Sequence, residues 1–145
     1  GMIPSEEYII PIGKAKIVKE GSGVTIVSYG KMMKVILDAE RELNQENIFP
    51  ELIDLRTLRP MDYNLIIESV KKTNRLIIVE ESWPLGSISS DISYKIQKEA
   101  FDYLDAPIQR ICGADTPMAY SSTLVDEFLP NKKDVILKVK KVMYL

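Results

Sequence analysis

An α/β fold is what this sequence predicts, with a mostly parallel sheet covered by helices on both faces. Strand-like and helix-like segments alternate along the chain, the pattern of strand–helix–strand crossovers. The runs Val24–Tyr29 (VTIVSY) and Leu76–Glu80 (LIIVE) are rich in β-branched and apolar residues, as central strands buried on both sides are. The segments between and after them repeat apolar residues every three or four positions, which marks one face of a helix.

The elements follow in order. Residues 1–13 read as an extended arm, because Pro4 and Pro11 are incompatible with regular helix, and Gly1-Met2 reads as a cloning remnant ahead of the native start. Residues 14–145 then form one domain. Ala15–Glu20 alternates apolar and charged residues, as a half-exposed strand does. Gly21-Ser22-Gly23 is a turn, and it is too short for a parallel crossover. The first strand therefore either forms a hairpin with Val24–Tyr29 or lies antiparallel at another edge.

Gly30 opens a helix from Lys31 to about Glu46, with Met32, Ile36, Ala39 and Leu43 as its apolar stripe. Glu51–Leu55 is a short strand. Asp62 caps a helix over Tyr63–Thr73, whose inner face carries Ile66 and Val70. After the strand Leu76–Glu80, a helix over Gly86–Phe101 places Ile88, Ile92 and Ile96 at steps of four. Ile108–Cys112 is the last strand, followed by a short helix near Ser122–Phe128. Asn131 and Asp134 have capping-box spacing at the start of the closing helix, whose stripe is Val135, Val139 and Val142.

With 145 residues, 46% hydrophobic and 28% charged, the chain can bury one core and is not disordered by composition. A net charge of −2 gives no basic excess for a nucleic-acid backbone. The sequence contains no histidine, hence no imidazole base or imidazole metal ligand, and its single cysteine, Cys112, excludes an internal disulfide. No apolar run approaches the ~18 residues that a membrane-spanning helix needs, and no signal peptide is expected.

Candidate chemistry is sparse. Gly21-x-Gly23 precedes a strand instead of following one, so it is not a dinucleotide fingerprint. Gly30-Lys31 stands where a phosphate loop could, but a tight strand-to-helix turn explains it better. Asp54, Glu80, Glu81 and Asp115 fall near carboxyl ends of strands, where open α/β sheets bind ligands. The phosphoacceptor arrangement of receiver domains is not matched, since its acidic and lysine positions hold Ser28-Tyr29 and Gly113-Ala114. Helix capping or pairing with Arg56, Arg59 and Arg110 outweighs metal or phosphoryl chemistry. Of the two arginines after Asp54, Arg56 is expected to be the buried and paired one, and Leu55 and Leu58 are expected to be buried. Cys112 reads as a small buried hydrophobe. The last fifteen residues carry five lysines against one aspartate, a solvated helix face or, more sharply, a docking end. Read this way, the residues describe an interaction or scaffold domain.

Six stretches add a family resemblance: Ile10–Ala15 (IPIGKA), Val24–Gly30 (VTIVSYG), Asp54–Asp62 (DLRTLRPMD), Thr73–Glu81 (TNRLIIVEE), Leu104–Tyr120 (LDAPIQRICGADTPMAY) and Leu129–Met143 (LPNKKDVILKVKKVM). In this order they resemble the C-terminal domain of the beta subunit of pyruvate dehydrogenase, the thiamine-dependent first component. The DLRTLRPMD block is similar to that of the wider transketolase C-terminal superfamily. IPIGKA and LDAP favour pyruvate over branched-chain oxoacids or acetoin, whose dehydrogenase beta subunits are the nearest alternative. A free-standing anion-binding regulatory α/β domain is the alternative from another class.

The resemblance implies a three-layer α/β/α sandwich on a five-stranded mixed sheet whose first strand is antiparallel. It implies a parent enzyme that decarboxylates pyruvate and reductively acetylates lipoyl groups with thiamine diphosphate and Mg²⁺. No cofactor, metal or catalytic residue is expected in this domain, and alone it is expected to be inactive. The implied partners are its own N-terminal domain, the alpha subunit, a second beta subunit and the subunit-binding domain of the dihydrolipoyl acetyltransferase core, without nucleic acid or membrane. The implied compartment is the bacterial cytoplasm or the mitochondrial matrix. By residue match, the docking contacts are Asp105 and the C-terminal carboxylate of Leu145. One segment departs from the family: where a Gly-rich run ending Gly-Ala-Glu is usual after Trp83, this chain reads PLGSISSD.

Overall fold

The computed structural model describes residues 5–145; the reading of Gly1-Met2, and the part of Pro4 in the arm, lie outside them. From Ser5 to Ala15 the chain is neither helix nor strand. The strands are β1 (Lys16–Lys19), β2 (Thr25–Ser28), β3 (Glu51–Asp54), β4 (Leu76–Val79) and β5 (Gln109–Ile111). The helices are α1 (Met32–Gln45), α2 (Tyr63–Thr73), α3 (Ile88–Glu99), α4 (Ser122–Phe128) and α5 (Lys132–Met143), with a 3₁₀ turn at Phe101–Tyr103.

The sheet order is β1-β3-β2-β4-β5. β2, β3, β4 and β5 run parallel, and β1 pairs antiparallel with β3 at the edge. Of the two placements open for the first strand, the edge is the one adopted. Its reason lies at the turn: Ser22 and Gly23 amides donate to the Phe49 carbonyl at 3.0 and 3.2 Å, tying the turn to the entry of β3. A Cβ on Gly21 would stand 2.3 Å from the Pro50 carbonyl carbon, so only glycine passes there.

Alternation along the strands sends side chains to two cores. Ile26, Leu52, Ile77, Val79 and Ile111 meet the stripe Met32, Ile36, Ala39 and Leu43 of α1 and Val135, Val139 and Val142 of α5. On the opposite face Val27, Ile53 and Ile78 pack against Ile66 and Val70 of α2 and Ile92 and Ile96 of α3. This is the expected α/β/α sandwich. Asp62 caps α2 by accepting from Leu65 N at 3.4 Å, and its other oxygen accepts from Ala15 N at 3.3 Å. The capping box at Asn131 and Asp134 is formed.

Three expectations fail locally. Arg56 is exposed, at φ +58°, and its amide donates to Asp54 at 3.0 Å; the left-handed turn carries its side chain outward instead of alongside Asp54. Leu58 is 36% exposed, because the same turn ends the strand before it, while Leu55 is buried as expected. The helix expected over Gly86–Phe101 starts two residues later and ends at Glu99, the chain continuing as the 3₁₀ turn.

Candidate functional site

Two polar clusters contain residues that the sequence singled out. The first lies at the carboxyl ends of the parallel strands. From β2 the chain crosses to β3 on one side, and from β3 it returns to β4 on the other, so the switch point falls between β2 and β4. Tyr29 follows β2 and Glu80 follows β4, and the Tyr29 hydroxyl donates to Glu80 Oε2 at 3.2 Å. Glu80 is fully buried. The Ser89 amide in the first turn of α3 donates to it at 3.2 Å, so this carboxylate caps a helix whose own N-cap, Ser87, makes no side-chain cap. The Ser89 hydroxyl also donates to Glu80 Oε1, and the Cys112 thiol donates to the same oxygen at 3.4 Å.

Arg110 completes the cluster from β5. Its Nε donates to Ser89 Oγ at 2.6 Å and its Nη2 to Ser87 Oγ at 2.8 Å and to the Pro84 carbonyl. Ser89 is thus a relay, accepting from the guanidinium and donating to the carboxylate. Burial, reinforced by the Glu80 carboxylate, pushes the Tyr29 phenol far above its ordinary range. Burial also raises the Cys112 thiol, with Glu80 adding to it and the Ser89 hydroxyl and Arg110 opposing. Cys112 is half-buried and hydrogen-bonded, not the plain apolar filler expected; a protonated thiol suits its place as donor to Glu80.

Every oxygen of Glu80 is therefore taken by protein donors, and the cluster pins loop 82–87 to the sheet. Of the other strand-end carboxylates, Glu81 is half-buried and close enough to raise the Tyr29 phenol further, whereas Asp54 accepts from the Arg56 amide and Asp115 is exposed. Among the described residues no group of three or more His, Cys, Asp or Glu could hold a metal ion. Gly30 adopts φ +58° and makes the tight turn into α1.

The second place is the corner where α5 ends beside the segment entering β5. Tyr144 terminates α5 in the left-handed conformation, φ +60°, which costs a tyrosine ~1–2 kcal/mol relative to right-handed backbone. Its amide donates to the Lys141 carbonyl at 3.3 Å and that of Leu145 to the Lys140 carbonyl at 3.0 Å, the two bonds of a Schellman cap. The next free carbonyl, Val142, accepts from Arg75 Nε at 2.9 Å. Arg75 Nη1 reaches the Gly23 carbonyl at 3.5 Å, and Nη2 lies 3.6 Å from Asp105 Oδ2. The Tyr144 hydroxyl donates to the Asp105 carbonyl at 2.9 Å.

Asp105 and Leu145, which the resemblance named together, lie at one corner. The Asp105 side chain is 57% exposed and Leu145 is 74% exposed. Arg75 and Tyr144 were not singled out from the sequence. A large aromatic at a helix stop, where glycine or asparagine is usual, was the available signal for Tyr144; Arg75 gave none.

Comparison with known proteins places the chain in a family. The model of the transketolase C-terminal domain matches residues 13–135. The chain is 50% identical over 142 residues to the pyruvate dehydrogenase E1 component subunit beta of Rickettsia felis, covering 98% of this chain and 44% of that protein. It is 44% identical over 140 residues to the mitochondrial subunit beta of Mus musculus, covering 96% of this chain and 39% of that one. The chain spans less than half the length of these curated relatives. A solved structure described as a split-gene transketolase, inactive beta4 tetramer, superposes with a TM-score of 0.80 at 27% identity, over 92% of this chain and 43% of that one. Edge strand, sheet order and family match agree over nearly the whole domain, and the chain belongs to the transketolase C-terminal domain family.

Proposed function

We propose that this chain is the C-terminal assembly and docking domain of a pyruvate dehydrogenase beta subunit. The observation that carries the reading is the 50% identity to such a subunit across 98% of the chain. The parent enzyme would decarboxylate pyruvate and reductively acetylate lipoyl groups, in a heterotetramer with an alpha subunit, in a bacterial cytoplasm or mitochondrial matrix. Among the described residues no helix is long and apolar enough to cross a membrane.

Thiamine diphosphate and Mg²⁺ belong to that chemistry, and the residues here do not fit them. Glu80, the buried carboxylate at the switch point, is saturated by Tyr29, Ser89 and Cys112, and the sequence has neither histidine nor a Gly-Asp-Gly motif. No catalytic step is assigned to this chain. Its contribution is surface: Asp105 and the Leu145 carboxylate, exposed at one corner, would receive a basic subunit-binding domain of the acyltransferase core.

Joined to the pyrimidine-binding half of a beta subunit and co-expressed with an alpha subunit, the chain should yield a heterotetramer that acetylates lipoyl domains from pyruvate. Failure to assemble would contradict the reading, and activity confined to another 2-oxoacid would correct its substrate.

A further inference from the structure

We propose that Arg75 and Tyr144 are positioning residues, a latch that holds the C-terminal turn and the Asp105 segment in one fixed relation for a cationic partner. The proposal rests on the docking reading above and adds to it how the two carboxylates are kept in register.

The chemistry of each contact points the same way. A helix end leaves carbonyls without partners. Here the Schellman bonds satisfy Lys140 and Lys141, and the guanidinium of Arg75 takes Val142 at 2.9 Å. Arginine's fork lets the same group face Asp105 Oδ2 at 3.6 Å and the Gly23 carbonyl at 3.5 Å. One side chain therefore spans the end of α5, the turn before β2 and the segment before β5. Its side chain is only 23% exposed, whereas Asp105 is 57% exposed and stays open to an incoming cation.

Tyr144 closes the latch from the other side. Glycine would occupy its left-handed position without strain. Tyrosine brings a ring long enough to carry a hydroxyl to the Asp105 carbonyl at 2.9 Å. That bond is to main chain, so it orients the segment carrying Asp105 without competing for its carboxylate. Leu145, the next residue, inherits the order of the turn through its amide bond to Lys140. A flexible terminus would have to be ordered on binding, whereas a latched one presents its carboxylate already placed.

The test compares Tyr144→Phe, which deletes only the hydroxyl, with Tyr144→Gly, which relieves the backbone but also loses the link. Amide hydrogen exchange at Leu145 is read by NMR on this chain. Affinity for the acyltransferase subunit-binding domain is read on the assembled enzyme by surface plasmon resonance. In Tyr144→Gly the relieved backbone offsets the lost bond at the turn itself, so docking alone should weaken. Tyr144→Phe should speed Leu145 exchange about threefold to tenfold and weaken docking by a similar factor, the range expected for one hydrogen bond. Arg75→Lys, keeping charge but not the fork, should do the same. Unchanged exchange in Tyr144→Phe and Arg75→Lys overturns the latch, and faster exchange with unchanged docking overturns its positioning role. Asp105→Ala, which keeps the carbonyl that Tyr144 uses, is the control: if it weakens docking while the latch variants do not, the latch alone is wrong, and if it too is silent the docking reading itself fails.

Discussion

The Tyr29 hydroxyl donates to the Glu80 carboxylate at 3.2 Å, joining the carboxyl end of β2 to that of β4 across the switch point. In many open α/β sheets that crevice receives a ligand. Here it is closed from within, by Tyr29, the Ser89 hydroxyl and amide, and the Cys112 thiol. No Glu80 oxygen is left there without a protein donor.

This closure has an alkaline signature. The Tyr29 phenol is raised above its ordinary 10.0 by burial first and by Glu80 second. With a folded-state pKa above the unfolded one, its contribution to stability is complete below pH ~10 and is lost as the pH rises toward the folded value. Urea midpoints measured up to pH 11 should fall more steeply for the wild type than for Tyr29→Phe; parallel curves would contradict the assignment.

Glu80→Ala leaves the Ser89 amide, the Ser89 hydroxyl and the Tyr29 hydroxyl without their acceptor in a buried place. Each buried orphan costs ~1–3 kcal/mol, so the loss should be at least ~2 kcal/mol by denaturant titration. A change under 0.5 kcal/mol, on the order of a surface substitution, would show the cluster to be incidental.

Arg110 holds loop 82–87 through the Pro84 carbonyl and the Ser87 hydroxyl. Trp83 and Leu85 are exposed there, at 52% and 80%. Arg110→Ala should therefore make chymotrypsin cut after Leu85 several-fold faster, the Trp83–Pro84 bond being resistant, with products identified by mass spectrometry. Cleavage first at another site would place the weak point elsewhere.

At the opposite end of the sheet, Glu51 is buried and bonded to Lys72, Ser69 and the Gly21 amide. Burial pushes its carboxyl up, but those donors outweigh it and hold it below the usual 4.5. A depressed folded-state pKa gives stability that is present above the unfolded value and lost as the pH falls through the folded one. Lys72→Met should flatten the loss of stability below pH ~4.5, as followed by circular dichroism.

Much of the fold was legible because it depends on short-range pattern. The stripe Met32, Ile36, Ala39 and Leu43 is one helix face whatever surrounds it, and all four are buried. The Asp62 cap and the Asn131–Asp134 box are local bonds, so spacing alone located them. The partner of β1 was not legible from the residues, because the tie of Gly21–Gly23 to Phe49 joins segments distant in the chain. Arg56 was misjudged because strand alternation was extended through Asp54–Arg56, where a left-handed residue breaks it. The Glu80 cluster draws on four separate segments, so nothing near Glu80 in sequence announced it. Asp105 and Leu145 came from resemblance; their shared corner came from Arg75 and Tyr144, which no motif flagged.

The docking claim is tested most directly by surface plasmon resonance of the acyltransferase subunit-binding domain on the assembled heterotetramer, comparing wild type with Asp105→Ala and with a chain extended by one residue beyond Leu145. Removing one partner of a desolvated charge pair costs ~2–5 kcal/mol, so each change should weaken binding ~30-fold or more. Wild-type affinity in both would contradict the account.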